Sequence, residues 1–198
     1  MAESESALVP GMTEHVNRTT DLLQKIDLSA VSRLVEKLYD AYREGRRVFI
    51  LGNGGSGATA SHFQEDLAKS TVKDHTVQKR LRVTSLSDSV PFISALGNDW
   101  GFETVFREQL VTHAEPGDVV IAISGSGNSP NVVTAVQWAT QNGLYTVGLT
   151  GFNGGQLKAM VNLSIHSAVL DMEIAENTHM IIAHLTVGGL RAMISQAA

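Results

Sequence analysis

The chain has 198 residues, 43% of them hydrophobic and 18% charged, which suits one globular domain rather than several. It contains no cysteine, which excludes disulfide scaffolds, thiolate metal sites and cysteine nucleophiles. With 15 Lys and Arg against 20 Asp and Glu the net charge is −5, no basic block suits a nucleic acid, and no apolar run nears the roughly 20 residues that span a bilayer. The first six residues, Met1 to Ser6, are acidic and lack the cationic and apolar regions of a signal peptide, so a cytoplasmic protein is expected.

In chain order, the first 45 residues carry apolar positions at Val16, Leu22, Leu23 and Ile26, then at Val31, Leu34, Leu38 and Tyr42. That spacing predicts one or two amphipathic helices, for which a neighbouring subunit is the expected packing partner. Five β-branched runs follow, at 47–51, 81–86, 119–123, 145–149 and 162–165. The first, third and fourth are nearly continuous apolar stretches, as in strands covered on both faces. Helical spacing lies between them, clearest after Asn128-Ser129-Pro130, where Ser129 suits an N-cap and Pro130 the first helical turn. From Asp171 onward a long apolar helix is expected. Strand–helix alternation predicts an α/β fold with a mostly parallel sheet.

Three glycine-rich loops follow strands. Leu51-Gly52-Asn53-Gly54-Gly55-Ser56-Gly57 ends the first and opens a helix, a place where backbone N–H groups favour an anion. It also fits G-x-G-x-x-G, but the acidic ribose partner should come about 20 residues later, and Asp88 lies far beyond that. The loop Ile123-Ser124-Gly125-Ser126-Gly127-Asn128-Ser129 offers three hydroxyls and a helix N-terminus at the same sheet edge. Together the two loops suit a phosphate monoester, held by Ser124, Ser126 and Ser129. The third loop, Thr150 to Gly155, is as well explained by a tight turn as by a ligand.

Proton transfer on a phosphorylated substrate needs a base at carbon and a group to manage the oxygen proton. His62 and Asp66, four apart after the first loop, share a helix face. On the final helix Glu176 and His184 are eight apart, about 80° around the axis, so both can face one cleft. His184 is the candidate acid/base, and Asp66 or Glu176 the candidate proton carrier. For His179 a core role and a functional role stay equally open, while His15, His75, His113 and His166 read as surface or structural.

These motifs, with Ala95-Leu96-Gly97-Asn98-Asp99, resemble the sugar isomerase (SIS) domain family, and within it the phosphoheptose isomerases. The likeness runs over nearly the whole chain, read as a single domain over 1–198, with helices in 1–45, an α/β core in 46–170 and a final helix in 171–198. The resemblance implies a three-layer fold with a five-stranded parallel sheet of flavodoxin-like type. It also implies a homotetramer with active sites shared between subunits, no membrane or nucleic-acid partner, and conversion of sedoheptulose 7-phosphate to D-glycero-D-manno-heptose 7-phosphate or a close relative. It places the sugar-phosphate loop on Asn53, Gly54, Gly55 and Ser56, a sugar-contacting pair on Asn98 and Asp99, and the phosphate loop on Ser124, Gly125, Ser126 and Ser129. It places a zinc and catalytic set on His62, Asp66, Glu176 and His184. Here Asp66 stands for the family's Glu, Glu176 for its Gln, and Gly125 where Thr is common. The alternative is a non-catalytic phosphosugar-binding or replication-initiator-binding protein of the same fold. The two His/carboxylate pairs favour the enzyme, and the lack of a Walker-type lysine disfavours a nucleotide-dependent one.

Overall fold

The computed structural model describes residues 2–197, so the first and last residues of the span read as one domain lie outside it. The leading segment forms two helices, α1 (Ala2–Leu23) and α2 (Leu28–Glu44). Asp27 starts α2 by accepting the Ala30 N–H at 3.0 Å, and Gly45, at φ 73°, ends it in the left-handed conformation that favours glycine.

Five strands, β1 (Arg47–Gly52), β2 (Arg82–Ser85), β3 (Val119–Ser124), β4 (Tyr145–Thr150) and β5 (Leu163–His166), make one sheet in the order β2-β1-β3-β4-β5. Every neighbouring pair is parallel. The central β3 is buried throughout, whereas the edge strands β2 and β5 alternate with partly exposed positions. The connecting helices are α3 (Gly54–Lys69), α4 (Val90–Trp100), α5 (Val105–His113), α6 (Pro130–Gln141) and α7 (Gly155–Met160), and α8 (Met172–Ala197) follows the last strand.

Side chains alternate across the strands, so each residue type chooses a layer. Val48, Ile50, Ile121 and Val147 face α2, α3 and α8; Phe49, Leu51, Val120 and Ala122 face α4 to α7. The sheet therefore has helices on both faces, the expected α/β class with a parallel five-stranded sheet. One packing expectation is corrected. Leu34 and Leu38 of α2 and Ile182 and Leu190 of α8 are fully buried within the chain itself, because these two helices cover one sheet face together with α3. Of the flanking helices, α1 leaves Leu8, Val9, Met12 and Val16 exposed, whereas α2 leaves Leu28 exposed at its N-terminal end and α8 leaves Leu185. Among the described residues no helix is long and apolar enough to cross a membrane.

β1 and β3 are neighbours whose following helices leave to opposite faces, α3 to one layer and α6 to the other. A sheet reverses its strand order at such a point and opens a crevice beyond the carboxyl ends of the strands, where ligands bind in folds of this type.

Candidate active site

Gly52 of β1 lies in register with Ile123 of β3, so the two glycine-rich loops leave the sheet side by side. Between them is a cleft of about 240 Å³. Asn53, Gly54, Gly55 and Ser56 form one wall, Ser124, Gly125, Ser126 and Ser129 the second, and Met172 and Glu176 of α8 the third. All eight loop residues expected at the sugar-phosphate site thus line one cleft.

The second loop leaves its hydroxyls available. Ser124 Oγ accepts the Gly127 N–H at 3.1 Å and Ser126 Oγ accepts the Asn128 N–H at 3.2 Å, so each has a hydrogen left to donate. Ser129 sits at the N-cap of α6 without capping it through its side chain, and its Oγ lies 3.4 Å from that of Ser124. The N-termini of α3 and α6 both open on the cleft, adding partial positive charge and unpaired N–H groups. The third loop plays a supporting part: Gly151 N–H donates to Gly125 O at 2.9 Å and Leu157 N–H to Gly127 O at 3.0 Å. It backs the serine loop and does not line the cleft.

Gly55 marks a close approach to α8: a Cβ there would meet the Glu176 carboxylate, the flexible end of that side chain. Seven residues along α3 and eight along α8, His62 meets His184, so the two helices run side by side in one direction. His62 Nε2 and His184 Nε2 are 3.0 Å apart, and Asp66 Oδ2 stands 3.3 Å from the first and 3.6 Å from the second. The other Asp66 oxygen accepts the Ser70 hydroxyl at 2.9 Å, which fixes the carboxylate. Among the described residues these three alone form a cluster able to hold a metal ion. The fourth residue expected there, Glu176, stands about 12 Å away along its helix, in the wall of the serine cleft.

Asn98 and Asp99 are placed elsewhere. They are exposed at the end of α4, where Asn98 Nδ2 donates to Asp99 Oδ1 at 2.8 Å, and neither lines the cleft. Asp88 accepts hydroxyl bonds from Ser85, at 3.0 Å, and Ser61, which engages the one carboxylate a dinucleotide reading could have used. His179 is fully buried and neither ring nitrogen has a hydrogen-bond partner. Burial pushes its imidazole down to about 4, with the Thr150 main chain opposing this and nearby His166 reinforcing it. It is therefore neutral at neutral pH and belongs to the core. His166 pairs with Thr150 Oγ1 at 3.0 Å, and burial, then Lys158, lowers its pKa. Met172 escaped sequence reasoning, although its place one helical turn before Glu176 puts it on the same face.

Comparison with known proteins agrees with this architecture. The family model described as "SIS domain" matches residues 13–151. A phosphoheptose isomerase of Pelobacter propionicus is 40% identical over 153 residues, 77% of this chain and 79% of the relative. One of Trichlorobacter lovleyi is 36% identical over 167 residues, 83% and 84% of the two chains. Among solved structures, the phosphoheptose isomerase of Neisseria gonorrhoeae superposes with a TM-score of 0.85 at 25% identity, covering 95% of this chain and 98% of that one.

Proposed function

The chain belongs to the SIS domain family and is a sugar-phosphate isomerase, and from that premise we propose that it interconverts sedoheptulose 7-phosphate and D-glycero-D-manno-heptose 7-phosphate. The observation that carries the reading is the pairing of an anion cleft with a His/Asp/His cluster at a fixed distance along two parallel helices. Seven to eight helical residues span about 10–12 Å. In an extended seven-carbon sugar phosphate, C2 lies roughly 9 Å from the phosphorus, taking bonds of about 1.5 Å. A five-carbon chain is shorter by about 2.5 Å on the same basis and would hold its carbonyl well short of the cluster.

Ser124, Ser126 and Ser129 hold the phosphate through hydroxyls and the N-terminus of α6, and Asn53 to Ser56 supply main-chain donors from the other side. The carbonyl end then reaches Asp66. This carboxylate takes a proton from C1 of the ketose while His184 protonates the oxygen on C2, giving an enediol. Asp66 returns its proton to C2 and His184 removes the one on the C1 oxygen, which completes the aldose with both groups restored. His62 keeps Asp66 oriented. Glu176, near the phosphate end, accepts hydrogen bonds from chain hydroxyls rather than carrying the C1/C2 proton. Asn98 and Asp99 are assigned to contacts with sugar hydroxyls, on resemblance alone.

Zinc fits the cluster. Tetrahedral zinc with bonds of 2.0–2.1 Å keeps its ligands about 3.3 Å apart, and the three separations here are 3.0, 3.3 and 3.6 Å. His62, Asp66 and His184 would hold the ion, with Glu176 outside the set. When bound it would supply Lewis-acid polarisation of the substrate carbonyl, in place of the proton from His184. The proton transfers assigned to Asp66 and His184 are those of the metal-free cluster, since the same Oδ2 and Nε2 atoms would serve as ligands.

The exposed apolar residues of α1, Leu8, Met12 and Val16, recur at four-residue spacing and form a stripe that water does not favour. This supports a homotetramer in which copies of the chain cover that face. A phosphate-bearing substrate, which does not cross a bilayer unaided, supports action in the cytoplasm.

The test is incubation with a panel of five- to seven-carbon ketose phosphates, with the aldose phosphate product measured. Turnover of the seven-carbon substrate at the highest kcat/KM is expected. Turnover of only shorter substrates would refute the assignment of chain length. Thermal protection by sugar phosphates without any turnover would move the protein to the non-catalytic binding reading.

A further inference from the structure

Asn53 immediately precedes α3, a position from which asparagine commonly caps its own helix. Its side chain makes no such bond. Instead Asn53 Nδ2 donates to Asn131 Oδ1 at 2.9 Å, and Asn131 Nδ2 donates back to Asn53 Oδ1 at 2.9 Å. Asn131 is the second residue of α6, lies 78 positions away and is 1% exposed. Its Oδ1 also accepts the Val132 N–H at 3.0 Å, so the amide is fixed from its own helix as well.

The pair joins the two structures that grip the anion. One amide belongs to the first loop and the other to the helix that the serine loop opens. Beyond the β1–β3 ladder, which ends at Gly52 and Ile123, no other hydrogen bond among the described residues links the first loop to the serine loop or to α6. Both loops are rich in glycine and each follows its own strand, so the sheet aligns their starting points but not their tips. A buried amide that lost its partner would keep an unsatisfied donor and acceptor, so the arrangement is held to one geometry.

We propose that Asn131 is a positioning residue, which clamps the N-termini of α3 and α6 at the separation a single phosphate group requires. The clamp rests on the reading of the cleft as a sugar-phosphate site. Asn131 does not line the cleft, so it acts through Asn53 and not on the substrate.

The experiment is a double-mutant cycle of Asn53→Ala and Asn131→Ala, read as KM and kcat for sedoheptulose 7-phosphate and as affinity for inorganic sulfate. Loss of two amide hydrogen bonds should raise KM on the order of tenfold in Asn131→Ala and weaken sulfate in parallel. Along α3 from Asn53, His62 is about 13 Å away and Asp66 about 20 Å, so kcat should stay within about threefold. In the Asn53→Ala background the same change should add less than about twofold, because the bonds are already gone. Asn131→Asp keeps the size of the side chain and one of the two bonds, and it guards against collapse of α6; in a folded variant its KM also rises. Unchanged KM and sulfate affinity in folded Asn131 variants would overturn the clamp. So would equal losses in both backgrounds, or a loss confined to kcat. Absence of both turnover and sulfate binding in the unmodified protein would instead overturn the isomerase reading on which the clamp depends.

Discussion

His179 makes a prediction whose size is set chiefly by burial. Its ring is fully enclosed, has no hydrogen-bond partner and titrates near 4 in the folded chain, against 6.5 for the ordinary group. Above pH 6.5 the ring is neutral whether the chain is folded or not, and pH has no effect through it. As the pH falls toward 4, the unfolded chain takes up a proton that the folded chain refuses, so stability drops with acidification. Between pH 7.5 and 5.0 this one group should cost about 2 kcal/mol. The perturbation is His179→Leu, which removes both unpartnered nitrogens and fills the site with an apolar side chain of similar bulk. Urea unfolding followed by circular dichroism at the two pH values, at one protein concentration, gives the loss for each protein. The unmodified chain should lose about 2 kcal/mol more than the variant. His166, whose pKa is also lowered, is present in both proteins and cancels in the difference. Equal losses would refute the placement of a neutral imidazole in the core.

Three further outcomes are expected. Ser126→Ala or Ser129→Ala removes a hydrogen bond to a charged group, worth roughly 1.5–3 kcal/mol, so sulfate or substrate affinity should fall about tenfold to hundredfold by calorimetry; unchanged binding in both would mean the phosphate sits elsewhere. Protein purified without chelator should carry zinc by elemental analysis, and a His62→Ala/His184→Ala variant should not; equal and negligible metal in both leaves acid–base chemistry by Asp66 and His184 alone. Light scattering at micromolar concentration should give a tetramer, and a monodisperse monomer would refute the covering of the α1 face by copies of the chain.

What the sequence revealed and what it hid have a common cause. Each glycine-rich loop is a contiguous run after an apolar strand, and its chemistry depends on neighbours in the chain. The strands and the serine cleft were therefore legible, down to the N-cap position of Ser129. The His/Asp/His cluster was half legible, because the i,i+4 spacing of His62 and Asp66 is local, whereas their meeting with His184 depends on how α8 lies against α3. Glu176 shows where that reasoning stops. An 80° separation around a helix leaves two side chains free to share a cleft, but eight residues of rise carry Glu176 to the serine cleft and His184 to the His/Asp/His cluster. The Asn53–Asn131 pair, 78 residues apart, left no local signal at all.

Two of the departures that the resemblance implies, at 125 and 176, meet at the third wall of the cleft. At position 125, where the resemblance leads one to expect Thr, a Cβ would collide with the sulfur of Met172. The thioether thus takes up volume that a β-branched side chain on the loop would occupy, and the phosphate loop is completed from α8 instead of from itself. Glu176, one turn further along α8, in the same way rests its carboxylate against the open face of Gly55. Both side chains reach the anion loops from one short stretch of a single helix, and each presents its flexible end to a glycine, so a side chain at either glycine would push it aside. Residues 172 and 176 on one side and 125 and 55 on the other are therefore coupled pairs. Thr at 125 alone would displace the Met172 thioether from the loop, whereas pairing it with a smaller residue at 172 removes the contact altogether. A change in either loop of this cleft therefore acts through α8 as well, because the α8 side chain that closes the loop has to move with it.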